Sequence, residues 1–155
     1  MNRRDLITTG VGLGAAVLAS SALGSRDARA DDKKPAAGDP RLAVLDALSA
    51  CIARSELCAA HCQVELASGA REFARCAAAV QDMLAIAATA QNLIARKSPQ
   101  AKRIAELCAT ACKECSAACG EHKAHWAHNM HLECKACMES CDACLKACTA
   151  FAAAA

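Results

Sequence analysis

The spacing of cysteine in the second half of this chain leaves little freedom over its fold. Cys108, Cys112, Cys115 and Cys119 follow one another at steps of four, three and four, and Cys134, Cys137, Cys141, Cys144 and Cys148 at three, four, three and four. On an α-helix, at about 100° per residue, each set is confined to an arc of roughly 60° to 80°. Upstream, Cys51, Cys58 and Cys62 fall within an arc of about 40°, and Cys76 has Met83 on its own face seven residues later. All thirteen cysteines thus occupy heptad core positions on four helices, and every helix contributes thiols to one axis.

The helix boundaries follow from breakers and caps. Asp39-Pro40 reads as an N-cap followed by proline in the first helical position, and the alanine-rich run after it reaches Ser68-Gly69 uninterrupted. A second helix runs from Ala70 to near Lys97, and Ser98-Pro99 repeats the cap-plus-proline signal for a third, which reaches about Gly120. The histidine-rich stretch 120–129 is the third connection, Met130 to about Phe151 the fourth helix, and Ala152 to Ala155 a frayed end. Short connections force neighbouring helices to run in opposite directions, so the expected fold is all-α, an antiparallel up-down-up-down four-helix bundle with a cysteine-lined core. One mouth of such a bundle holds the histidine-rich connection; the other holds Asp39, Arg96 and Ser98. With no Tyr, one Trp (Trp126) and two Phe (Phe73 and Phe151), alanine and cysteine must fill the core.

Residues 1–30 read as a targeting segment outside that fold. Arg3-Arg4 precedes an apolar stretch from Val11 to Leu23, and Ala28-Arg29-Ala30 is a small-residue cleavage site, the pattern of a twin-arginine export signal. The apolar stretch is too short to span a bilayer, so the expected location is the periplasm, reached by the twin-arginine route, with no membrane attachment after cleavage. Residues 31–38 (DDKKPAAG) read as a disordered tether, and 39–155 as the bundle domain. Four of the eighteen basic and two of the sixteen acidic residues fall in the signal, leaving fourteen of each sign in the mature chain. That balance disfavours a nucleic-acid partner.

One or two buried cysteines are ordinary core residues, but thirteen at core spacing are not. A disulfide framework suits an exported chain, yet the number is odd, and facing helices about 8 to 10 Å apart mostly exceed the ~7 Å limit on Cα separation in a disulfide. Free thiolates select Cu(I), Zn or iron–sulfur clusters. Zinc and iron–sulfur sites want closed sets of four ligands around one point, which a continuous stripe does not provide. Cu(I) accepts two or three thiolates with shared sulfurs, so a ladder of i, i+3 and i, i+4 pairs suits a chain of ions, up to about one per thiol. The five cysteines from 134 to 148 alone cover about 21 Å of helix. No CxxC is followed by His, which excludes haem attachment.

The twin-arginine leader, the four-helix pattern and the runs from Cys108 to Cys115 and from Cys134 to Cys144 make the chain similar to the bacterial copper storage proteins. The resemblance covers essentially the whole mature chain. It implies that all thirteen cysteines are Cu(I) ligands, that many ions bind per chain, that exported copper-requiring enzymes are supplied, and that the protein is a homo-oligomer, a tetramer in several relatives.

His122, His125, His128 and His131 recur every third residue around Met130 at the mouth. His122 lies three residues after Cys119 and Met130 four before Cys134, so both extend the cysteine register and are candidate ligands capping the column. The alternative is a solvated loop with Met130 as plain core. His61 falls off the inner face and is expected at the surface, and Met83 is expected as core filling. No pattern supplies the polar cleft an enzyme needs. Lys113, Glu114, Lys135, Glu139, Asp142 and Lys146 fall on outer faces and serve solubility. The expected function is copper storage or sequestration; a single-ion copper chaperone, a zinc-sequestering metallothionein-like protein and a purely structural bundle are the rivals.

Overall fold

The computed structural model of the protein describes residues 38–154. The export signal expected at 1–30 and all but the last residue of the tether expected at 31–38 lie outside the described residues. Among the described residues every regular element is helical: α1 (Pro40–Ala67), a 3-10 turn (Arg71–Phe73), α2 (Ala74–Ala95), α3 (Ala101–Gly120), α4 (Lys123–Trp126) and α5 (Leu132–Ala154). The five helices pack together, with α1 against α2 and α5, and α3 against the same two.

α1 starts where Asp39 accepts a hydrogen bond from the Arg41 amide at 3.0 Å, with Pro40 behind it. The Arg41 guanidinium pairs with the same carboxylate and donates to the Ala95 carbonyl at 2.9 Å, which ties the start of α1 to the end of α2. α1 stops at Gly69, whose φ of 99° lets the Ala70 amide return to the Glu65 carbonyl at 3.0 Å. The same closure ends α2: the Ser98 amide reaches the Leu93 carbonyl at 2.9 Å, although Lys97 holds the left-handed position at φ 56°.

Four boundaries differ from the sequence expectation, the first being the start of α2, expected at Ala70 but found at Ala74 after the 3-10 turn. Ser98 does not cap α3: its hydroxyl accepts from the Gln100 amide at 3.2 Å within a turn, and α3 begins at Ala101 with Gln100 at the N-cap and no side-chain capping bond. The histidine-rich connection contains a helix of its own, α4, and α5 starts at Leu132 rather than Met130 because Asn129 and His131 both take φ 54°. Ala152 to Ala154 are helical and Ala152 is buried, so the C-terminus does not fray there.

The core has two sections. Val44, Leu48, Ile94 and Phe151 fill one end, beside Ala90, Ala101 and Ala105; all thirteen cysteines, with Phe73, Val80, Met83 and Leu84, fill the rest. α2 is alanine-rich, and the segment Arg71–Ala95 is apolar and long enough to cross a bilayer by length and composition. Its inward face carries Cys76, Val80, Met83, Ala87, Ala90 and Ile94, which pack into this core.

Candidate metal centre

The backbone periodicity puts every thiol where the spacing requires: all thirteen cysteines are free and buried. Cys58 of α1, Cys76 of α2 and Cys119 of α3 form a triangle with Sγ separations of 3.9, 3.8 and 3.5 Å. The circle through three such atoms has a radius of about 2.2 Å, close to a metal–thiolate bond of about 2.3 Å. Cys134 of α5 stands 3.8 Å from Cys58, so all four long helices meet there.

The pattern repeats along the axis. Besides that triangle, groups with their sulfurs within 4.8 Å of one another include five: Cys58, Cys62, Cys76 and Cys134; Cys58, Cys119 and Cys137; Cys115, Cys137 and Cys141; Cys51, Cys112 and Cys141; Cys108, Cys144 and Cys148. Together they include every cysteine, and Cys58, Cys137 and Cys141 each belong to two groups. Shared members join the first four groups into one column, in which a sulfur can bridge neighbouring ions; Cys108, Cys144 and Cys148 form a set that shares no member with them.

Protons are unevenly distributed in this network. Cys119, hydrogen-bonded to Cys115, Cys134 and Cys137, is held well above the ordinary thiol range. Cys134, whose thiolate accepts from Cys119 and Cys58, is held well below it. The Cys108 contact pushes Cys148 up to about 12, and the contact with Cys119 lowers Cys76 to about 4. Burial opposes negative charge on each of these four thiols, and protons still held by a thiol must leave as it binds metal.

Two residues on the column carry no thiol. Met83 is core, as expected, and its thioether also receives the Cys51 thiol at 3.7 Å. Ser55 is fully buried, with its hydroxyl 3.3 Å from Cys137 Sγ and 4.0 Å from Cys51 Sγ. The sequence reading missed Ser55, though residues 51, 55, 58 and 62 repeat the four-three-four spacing of the α3 cysteines.

The mouth departs further from expectation. Met130 does not fill core; it is 48 % exposed, because the helical register that would carry it inward starts only at Leu132. His122 is buried, but its ring stacks on Phe73 at 4.1 Å and its Nε2 has no hydrogen-bond partner. His125 and His128 are exposed. His61 is not a surface residue: its side chain is 16 % exposed, and its Nε2 hydrogen-bonds His131 Nδ1 at 3.0 Å. Phe73, carried over the end of α1 by the 3-10 turn, packs edge-on to both rings and draws His61 into the mouth. The outward charges behave as expected, and Asp142 additionally accepts from Ser116 at 2.6 Å.

A family model described as copper storage protein matches residues 39–153. No curated protein matches the chain.

Proposed function

Because the chain belongs to the copper storage protein family, we propose that it stores Cu(I), many ions per chain, on the thirteen core thiols, and buffers or supplies copper to exported enzymes. The observation that carries this reading is the sharing of sulfurs: five groups of three or four thiols, drawn from different helices, account for all thirteen cysteines. Cu(I) is suited to two- and three-coordinate soft sites with bridging sulfur, whereas a zinc store prefers closed tetrahedral sets. Only Cys58, Cys62, Cys76 and Cys134 approach such a set among these groups.

The reading includes an up-down-up-down arrangement of α1, α2, α3 and α5. It is supported by paired contacts that run in opposite directions, Cys51 with Cys141 and Cys58 with Cys134. It also includes twin-arginine export to the periplasm, supported by Arg3-Arg4 and the Ala28-Arg29-Ala30 site, and assembly into a homo-oligomer, supported by the family resemblance alone. A route that exports folded protein suits a column whose thiols must reach an oxidising compartment already buried.

The test is an anaerobic titration of the reduced mature protein with Cu(I) against a competing chelator. Saturation near the thiol count is expected. Saturation at one or two ions indicates a chaperone, displacement of copper by zinc indicates a zinc store, and no binding indicates a structural bundle.

A further inference from the structure

Outside the thiol column, three side chains with harder donor atoms converge at the mouth. His61 Nε2 lies 3.0 Å from His131 Nδ1 and 3.8 Å from Glu65 Oε1, and His131 Nδ1 lies 4.0 Å from that same carboxylate oxygen. The circle through these three atoms has a radius of about 2.1 Å, which is the length of a bond from zinc to imidazole nitrogen or carboxylate oxygen. A hydrogen bond between the two rings accounts for the first distance. It does not account for a carboxylate oxygen within 4.0 Å of both nitrogens.

Two further observations favour a built site. The other nitrogen of His61, Nδ1, lies 3.8 Å from Glu133 Oε2, beyond hydrogen-bond distance but on the side from which a carboxylate orients a metal-bound imidazole. His131 is held in the left-handed region at φ 54°, a conformation that side chains other than glycine adopt at a cost and that recurs at ligand sites. The Phe73 ring packs edge-on against both imidazoles, 5.6 Å from His61 and 4.8 Å from His131, and restricts their rotation.

We propose that the mouth carries a second metal site, for a divalent cation of the Zn(II) or Cu(II) type, formed by His61, His131 and Glu65 and independent of the thiols. Two imidazoles and a carboxylate suit borderline divalent ions and are poorly matched to Cu(I), which favours the soft sulfur below. The site thus separates cations by hardness at the mouth, and it goes beyond the storage reading.

The experiment uses the full mature chain loaded anaerobically with Cu(I), so that the thiols are occupied, and titrates it with Zn(II) by calorimetry. One Zn(II) per chain is expected. His131→Asn, which tolerates the left-handed backbone, and His61→Gln each weaken binding tenfold or more, Glu65→Gln weakens it several-fold, and His128→Gln leaves it unchanged. Zn(II) uptake that is absent, or equal in all four variants, overturns the proposal. A parallel titration of copper-free protein with Co(II) keeps the two readings distinguishable. Cobalt at the mouth gives d–d bands lacking the intense thiolate-to-cobalt charge transfer and lost in His131→Asn, whether or not the column takes copper. Charge transfer from the first equivalent onward overturns the site.

Discussion

At the end of the bundle that holds Val44, Leu48, Ile94 and Phe151, the inward positions carry aliphatic and aromatic side chains, whereas toward the mouth the same helical positions carry thiols. Lys102 and Glu106 of α3 line a groove with Ala152 and Ala153 of α5, and Arg41 bonds the Ala95 carbonyl, so two helix junctions lie at the aliphatic end. Burying one Leu, Ile or Phe contributes about 1.5 to 3 kcal/mol; a thiol contributes less apolar area, and alanine less again. The difference separates two jobs within one register. The aliphatic end pins the helices, and the sulfur section trades packing for ligands.

The largest effect that tests this division is metal binding. Each site filled at a thousandfold excess over its Kd adds about 4 kcal/mol, so Cu(I) loading is expected to raise Tm strongly in anaerobic calorimetry. Equal melting of empty and loaded protein contradicts the division. Next come cavities at the pinned end: Leu48→Ala and Ile94→Ala are each expected to cost about 2 to 5 kcal/mol in denaturant unfolding of the copper-free protein. Their copper count should not change, and a fall in it means that the two ends are not independent.

A smaller effect sits within the sulfur section. Ser55→Cys exchanges a buried hydroxyl for a thiol of similar shape and is expected to change stability by less than about 1.5 kcal/mol, while raising copper capacity by about one ion in the chelator titration. Unchanged capacity shows that position 55 is filler rather than a vacant place in the ladder. The smallest effect lies at the start of α1. The Arg41 hydrogen bonds lower the Asp39 carboxyl from 3.8 to about 2. Its folded value is the lower one, so its contribution is complete above about pH 4 and is lost as pH falls through about 2. Hydrogen exchange in the first turn of α1 should speed up across that window, and Asp39→Asn should remove the dependence.

What the sequence disclosed followed periodicity. Thirteen cysteines at steps of three, four and seven specify faces, and each face is buried as the spacing demands. Caps were equally plain at Asp39, where a side chain acts on its own helix. Ser55 was open to the same reasoning but hidden by residue type, since a serine between cysteines reads as solvent-facing until its register is counted. The mouth was illegible for a different reason. His61 lies off the inner face of α1 and joins the cluster because Phe73 and His131 arrive from other connections. The inward register of Met130 was lost to two left-handed residues that helical periodicity does not encode.

The aliphatic end has one more consequence. With Val44, Leu48 and Ile94 almost fully buried across it, the column resembles a tube stoppered at its base. Cargo in such a tube queues: the last ion to arrive sits nearest the opening and leaves first, so retention is graded by depth rather than by site chemistry. Loading first with one copper isotope and then with another, followed by partial extraction, should recover the second label ahead of the first. Recovery in proportion to the totals means that the base leaks or that the ions exchange places within the column.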